Sequence, residues 1–269
     1  MTLKCKPLIT IITVVYNGQK NLEKTIQSVI TQTYSNIEYI IIDGGSLDGT
    51  IEIIKKFTNN ISFWVSEPDK GIYDAMNKGI ERSKGEWINF MNSGDTFYDE
   101  NVVSSLFDNY ISNDVSVLYG QTLINYFFGK YIVNPLPLNM INSVIPFCHQ
   151  SSFIRTQTIK INKFDINYKI SADYNLFLKL YKNNIQFAYF DQCISVYDAT
   201  EGLSSQNEIL LYKEHSTINC NLNSSRSRHI GKLYVFLKNK TARIIPDRIL
   251  SALYKYYFKN NPRYKRFND

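Results

Sequence analysis

Toward the N-terminus, apolar residues follow two spacings by turns. Short continuous runs at Leu8 to Val15, Ile37 to Ile42, Ile61 to Val65 and Trp87 to Met91 read as buried strands bounded by turn-forming residues. Between the first two, Leu22, Ile26, Val29 and Ile30 fall on one helical face. Helix-period segments follow near Ile51 to Phe57 and Ile72 to Ile80. Strict alternation of strand and helix predicts parallel strands joined by crossover helices, so residues 1–95 form an α/β unit.

Beyond residue 95 the pattern loosens. It predicts a helix near Val102 to Tyr110, a strand at Val115 to Tyr119 and a hairpin around Gly129. A helix at Asp173 to Tyr181, with Leu176, Phe177 and Leu180 on its apolar side, precedes a strand at Ile185 to Phe190. After Ser224 the chain turns basic and amphipathic, with Leu233, Phe236 and Leu237, then Ile249, Leu250, Leu253, Tyr254 and Tyr257, at helical spacing.

Composition narrows the class. With 44% hydrophobic residues in 269, the chain can bury a full core. No run reaches about 18 apolar residues, so no membrane-spanning helix is predicted. Cys5, Cys148, Cys193 and Cys220 have neither close pairing nor metal-finger spacing and read as incidental thiols of a reducing, cytoplasmic compartment. Charge is uneven: Arg226 to Asp269 carries twelve Lys and Arg against Asp247 and Asp269, a net +10, so the preceding residues sum to −4 within a total of +6.

In an open parallel sheet, ligands bind beyond the carboxyl ends of the strands. Here those ends are polar: Tyr16-Asn17-Gly18, Asp43-Gly44-Gly45-Ser46, Glu67-Pro68-Asp69-Lys70-Gly71 and Asn92-Ser93-Gly94-Asp95. In the Asp43 segment the two glycines read as a sharp turn, Ser46 as the cap of the next helix and Asp48 as an acidic first-turn residue. That leaves Asp43 itself to accept a hydrogen bond from a ligand such as the N3–H of uracil, which cytosine lacks. Asp95 either caps the following helix or binds Mg²⁺ or Mn²⁺ held mainly by substrate phosphates.

Several segments in this order resemble family 2 glycosyltransferases: TVVYN at 13–17, QT at 32–33, DGGSLDGT at 43–50, EPDKGIYDAMNKGI at 67–80, GEWINFMNSGD at 85–95, FCHQSSF at 147–153 and SADYNLFLKL at 171–180. The resemblance runs over roughly residues 7–215. It implies a glycosyltransferase A fold, an α/β Rossmann-like, mostly parallel central sheet with flanking helices, here followed by a helical basic extension. It further implies a UDP-sugar-dependent hexosyltransferase that inverts the anomeric carbon with Mn²⁺ or Mg²⁺. The implied acceptor is a hydroxyl of a lipid-linked (polyprenyl diphosphate) saccharide, in bacterial O-antigen or capsule assembly.

Carried over by position, Tyr16 and Asp43 would flank the uracil, Lys70 would lie near the nucleotide, Asp95 would hold the metal and Asp173 would be the general base. Val14, Asn17, Gly44, Asp69, Asn77, Asn92, Ser93 and His149 complete the implied nucleotide-sugar site. Two positions depart from the family pattern: Gly44 stands where many members have a second aspartate, and Asn92 to Asp95 supplies one carboxylate in place of Asp-x-Asp. The implied organisation is a catalytic domain over 1–220, with a nucleotide-binding half at 1–95 and an acceptor-binding half at 96–220, and a tail over 221–269.

Plainer roles compete at several positions. Asp173 can simply open an acidic first helical turn, His149 can be a core histidine and Lys70 a solvated one. Glu201 to Ser204 suits an ordinary turn or a loop closing over donor. The tail fits an anionic membrane surface at the inner face of the cell membrane, or a helix packed on the domain. No nucleic-acid motif accompanies its charge, so no nucleic-acid partner is expected. Two other functions remain open, nucleotidyl transfer to sugar phosphates and a non-catalytic sugar-nucleotide-binding membrane protein. The first calls for a glycine-rich basic phosphate loop, and the chain has neither a P-loop nor a GxGxxG fingerprint.

Overall fold

In the computed structural model, which describes residues 6–108, 111–200, 202, 206–220 and 247–267, the two spacings separate into one sheet and its covering helices. Strands β1 (Ile9–Val15) and β2 (Ile37–Asp43) run parallel, with Val15 opposite Asp43. β3 (Phe63–Ser66) continues beside β2 and β4 (Trp87–Phe90) beside β1, both parallel.

Period-two alternation sends successive β1 side chains to opposite cores. Ile12 and Val14 pack with helices α3 (Ile72–Arg82) and α6 (Ala172–Lys182). Ile9, Ile11 and Val15 pack with α1 (Leu22–Ile30), α2 (Thr50–Lys56) and α4 (Val102–Phe107). Cover on both faces is why these strands are continuous apolar runs.

Beyond β4 the pairing becomes largely antiparallel. β8 (Ser152–Arg155) joins β4 to β6 (Val115–Tyr126), and β6 forms a hairpin with β7 (Gly129–Val133). β9 (Gln186–Asp198) lies parallel to β6 and takes the two-residue β5 (Thr96–Phe97) on its other side. The short helix α5 (Thr156–Asn162) follows β8, and α7 (Glu208–Cys220) follows β9.

The elements of residues 1–95 fall where the spacing predicts them, within a residue or two. The second half differs more. β6 and β9 each run well past Tyr119 and Phe190, and the reason lies at Gly120. A Cβ there would stand 2.6 Å from the Gln192 carbonyl, so the missing side chain lets the two backbones pass while the register shifts around it. A glycine that reads as a strand end is here a site of close approach.

Of the tail, Leu233, Phe236 and Leu237 lie outside the described residues. α8 (Asp247–Lys259) is helical as expected, and it packs Phe258 and Tyr254 against Phe128 of the β6–β7 hairpin. Tyr264–Arg266 is not helical. It forms a strand, β10, that adds antiparallel to the open edge of β7. Cys148 and Cys193 are free thiols.

Candidate active site

The loops after β1 and β2 fasten to each other. Asn17, at φ 49°, donates its N–H to Ser46 Oγ (2.7 Å) and accepts the Leu47 N–H on Oδ1 (3.0 Å). Gly18 N–H donates to Thr50 Oγ1 (2.9 Å) and Gln19 N–H to Asp48 Oδ2 (3.1 Å). Asp43 lies beneath this clasp at 0% exposure. Gly45, at φ 82°, folds the chain back, so that Asp43 Oδ2 accepts the Gly45 and Ser46 N–H groups and the Ser66 hydroxyl, while Oδ1 accepts the Ser46 hydroxyl. The expected uracil contact is not what this geometry gives Asp43: its carboxylate holds the turn together and does not reach the rim. Asn17 is committed in the same way, and Asn77 bonds both the N–H and the C=O of Phe164. Val14 is a core side chain whose carbonyl takes the Ser93 N–H (3.1 Å).

A different group faces outward here. Tyr16 is 63% exposed. A Cβ on Gly44 would stand 2.4 Å from Asp69 Oδ2 and 3.5 Å from the Tyr16 ring, so the bare glycine leaves its space to the Asp69 carboxylate. Asp69 Oδ1 accepts the Gly71 N–H (2.8 Å). Lys70 is exposed nearby, and its N–H caps onto Asp74 (3.0 Å).

The second cluster lines a cavity of about 800 Å³, a size suited to a nucleotide sugar with part of an acceptor, and contains Asn92, Ser93, Asp95, His149 and Asp173. Asn92 Nδ2 lies 3.1 Å from His149 Nε2, and His149 Nδ1 lies 3.2 Å from Asp173 Oδ2, so the imidazole bridges the two side chains. Asp173 Oδ1 accepts the Tyr174 N–H (2.8 Å) and the Tyr73 hydroxyl (3.1 Å). Burial pushes the Asp173 carboxyl up. The hydrogen bond and charge of His149, with the Tyr174 and Tyr73 donors, outweigh that and hold it below the ordinary 3.8. Burial, then the Asp173 charge, pushes the Tyr73 phenol well above its usual value, so it stays a donor.

Asp95 is the contrasting carboxylate. At 7% exposure it receives the Gln150 Nε2–H (3.0 Å), and burial pushes it up to about 6 against the opposing effects of His149 and Gln150. Thr25 of α1 pins its loop by donating to the Asp95 carbonyl and accepting the Gly94 N–H. Gly94 turns the chain at φ 104°.

Buried Asn92 Oδ1 and Ser93 Oγ, in the same loop, have no hydrogen-bond partner among the described residues. No group of three or more His, Cys, Asp or Glu could hold a metal among the described residues. One carboxylate beside unsatisfied oxygens fits Mg²⁺ or Mn²⁺, which take most of their ligands from water and substrate phosphates.

Tyr73, Gln150 and Glu214 belong to this machinery without having stood out in the sequence. Glu214 of α7 is buried, and its carboxylate accepts the N–H groups of Lys169 (2.7 Å), Ile170 (3.0 Å) and Ser171 (2.9 Å), the residues that lead into Asp173. Only the fold brings α7 to this turn. Glu214→Ala strands three donors, and urea denaturation is expected to show a loss of about 3 kcal/mol, with Glu214→Gln in between. The closing-loop residues Glu201, Leu203 and Ser204 lie outside the described residues.

Comparison with known proteins extends the local resemblance. The sequence model of Glycosyl transferase family 2 matches residues 10–170. An uncharacterized glycosyltransferase of Mycobacterium tuberculosis is 32% identical over 187 residues, 64% of this chain and 68% of its own length. A PGL/p-HBAD biosynthesis glycosyltransferase of Mycobacterium bovis is 25% identical over 210 residues, 74% of this chain and 80% of its own.

Among solved structures, S. aureus TarS 1-349 in complex with UDP-GlcNAc superposes at TM-score 0.63 with 17% identity, covering 82% of this chain and 68% of that one. The match spans 41% of a longer TarS chain. The mannosyltransferase PcManGT from Pyrobaculum calidifontis, in complex with GDP-Man and Mn²⁺, gives TM-score 0.63 and 14% identity over 84% of this chain and 67% of that one. At these identities the likeness is one of fold, the glycosyltransferase A arrangement that the motifs imply.

Proposed function

Because the chain belongs to glycosyl transferase family 2, we propose that it transfers a hexose or N-acetylhexosamine, with inversion, from a UDP-sugar to a hydroxyl of a lipid-linked saccharide. The acceptor is a polyprenyl diphosphate saccharide at an anionic membrane surface, in the assembly of a bacterial surface polysaccharide such as O-antigen or capsule. One observation carries the chemistry: Asp173, bonded to His149, and Asp95 face a single cavity, and burial raises the Asp95 carboxyl while the hydrogen bonds of Asp173 hold its own low.

In-line displacement needs a base on the acceptor side and charge stabilisation on the leaving side. Asp173, ionised at neutral pH and aimed by His149 and Tyr73, accepts the acceptor hydroxyl proton as that oxygen bonds to the anomeric carbon. Asp95 would hold Mn²⁺ or Mg²⁺, which when bound supplies positive charge to the departing diphosphate. Asn92 and Ser93 line the same cavity as Asp95, and Asn92 Oδ1 and Ser93 Oγ are polar atoms of that loop left unsatisfied among the described residues. Membrane attachment is supported by the net +10 of residues 226–269. No helix among the described residues is long and apolar enough to cross a membrane.

The base is read at Tyr16, Gly44 and Asp69. The exposed Tyr16 ring offers a stacking face, and Asp69 Oδ2 offers an acceptor beside it. Asp69 Oδ2, which stands in the space left by the missing Gly44 side chain, is placed to accept the N3–H donor of uracil. Gly44→Asp, which restores the paired aspartates, drives a second carboxylate into Asp69. Calorimetric titration with Mn²⁺ is expected to show UDP binding to the unaltered protein in preference to GDP, and at least about tenfold weaker UDP binding to Gly44→Asp, or 1.4 kcal/mol. Equal affinity for UDP and GDP would remove the uracil assignment.

A further inference from the structure

We propose that α8 and β10 form a binding site for the phosphate headgroup of an anionic lipid, and that this site seats the protein on its membrane. The proposal deepens the reading of a lipid-linked acceptor and rests on it. A recess of about 300 Å³ opens between the two elements. Its floor is aromatic: Tyr131 and Phe258 are buried, and Tyr264 stacks on Phe258 at 3.9 Å between ring centroids. Among the described residues, Lys255, Lys259 and Arg266 line it and no Asp or Glu does. None of the three cations has a carboxylate within ion-pair distance among the described residues.

Cations gathered without counter-charge raise one another's free energy, and an anion between them relieves it. The floor fixes their placement. Phe258 is held edge-on by Tyr126, Phe128 and Tyr131, so Lys255 and Lys259 project from an anchored helix and Arg266 from a paired strand.

The adjoining surface indicates that the anion is a lipid. Leu253, Tyr256 and Tyr257 are 55%, 71% and 56% exposed on the next face of α8, and Phe127, at the tip of the β6–β7 hairpin, is also exposed beside Tyr254. Apolar and tyrosine side chains beside uncompensated cations match the boundary between lipid headgroups and acyl chains, where rings bury their bodies and cations meet phosphate. A free phosphate would use the cations but leave this apolar rim in water.

The position relative to the catalytic cavity is direct. Cys148 and Tyr197 pack against the same aromatic cluster as Tyr254 and also line that cavity. The cluster that anchors α8 therefore also borders the cavity in which Asp173 lies.

The test uses the full chain in vesicle sedimentation, with phosphatidylcholine vesicles set against vesicles also containing phosphatidylglycerol. Lys255→Gln/Lys259→Gln/Arg266→Gln is expected to bind the anionic vesicles about 100-fold more weakly, whereas Lys179→Gln/Lys182→Gln/Lys213→Gln, which removes as much charge from α6 and α7, leaves binding intact. Leu253→Ser/Tyr256→Ser, which keeps every cation, is expected to weaken it as well. UDP affinity measured on the same samples tests the transferase reading separately and is expected to stay constant. Vesicle binding by the recess variant equal to the unaltered protein overturns the proposal. So does an equal loss in the α6 and α7 variant, or a thermal shift with inorganic phosphate in the absence of any vesicle binding.

Discussion

Asp173→Asn is expected to lower sugar transfer by about 10²–10⁴-fold while UDP binds as before. The substitution keeps the shape of the first turn of α6, and the amide oxygen can still accept the Tyr174 N–H and the Tyr73 hydroxyl that now end on Oδ1. What disappears is the anion that receives the acceptor proton and that pairs with His149 across 3.2 Å. Since the contacts of Asp173 hold its carboxyl below the ordinary range, it is ionised at every pH at which the protein would be assayed, and its protonation does not set the acid limb of activity. Asp95, pushed up to about 6 in the metal-free protein, must lose its proton to take a cation, so Mn²⁺ binding followed by calorimetric titration is expected to weaken as pH drops through about 6. Transfer rates and UDP titrations on the two proteins check both parts.

Asp95→Asn is expected to lower transfer by about 10²–10³-fold, on the scale of removing one preorganised electrostatic group, and to stabilise the ligand-free protein. The second effect has a sign that changes in pH test. Asp95 is pushed up from 3.8 to about 6, so the folded state favours its neutral form. Its favourable contribution is complete below the unfolded value and is lost as pH rises through about 6. An asparagine is neutral throughout and still accepts the Gln150 N–H. The stability gap between variant and parent should therefore be near zero in acid and open with pH, to about 3 kcal/mol at most. Urea denaturation at pH 5 and pH 8 measures it, and a gap that closed toward pH 8 would contradict the buried, ionisable Asp95. A site residue that destabilises its own fold until a cation arrives is consistent with a metal-holding role.

The first half of the fold was legible because its strands are covered on both faces, so burial leaves an unbroken apolar run in the sequence. β8 and β10 were not legible. Ser152–Arg155 is short and mixed, and it is a strand only because β4 and β6 offer edges on either side. Tyr264–Arg266 is a strand because β7 presents an open edge, a fact of tertiary structure to which local helical spacing is blind.

The site divides in the same way. Asp95, His149 and Asp173 could be picked out singly by motif, but His149 as the link between Asn92 and Asp173 depends on where β8 lies beside β4. Asp43 shows the converse. A carboxylate at a strand end, followed by two glycines, reads on paper as a group left over for a ligand. The positive φ of Gly45 aims two amides and a hydroxyl at it, and the outward carboxylate becomes that of Asp69 on the neighbouring strand's loop.

Stereochemistry tests inverting transfer at this cavity most directly. The protein, Mn²⁺, an α-linked UDP-hexose or UDP-N-acetylhexosamine and a polyprenyl diphosphate saccharide would be incubated together, and the new glycosidic linkage read by proton NMR alongside the nucleotide released. A β-linkage formed in step with UDP is the expected result. An α-linkage, or release of pyrophosphate in place of UDP, would contradict it.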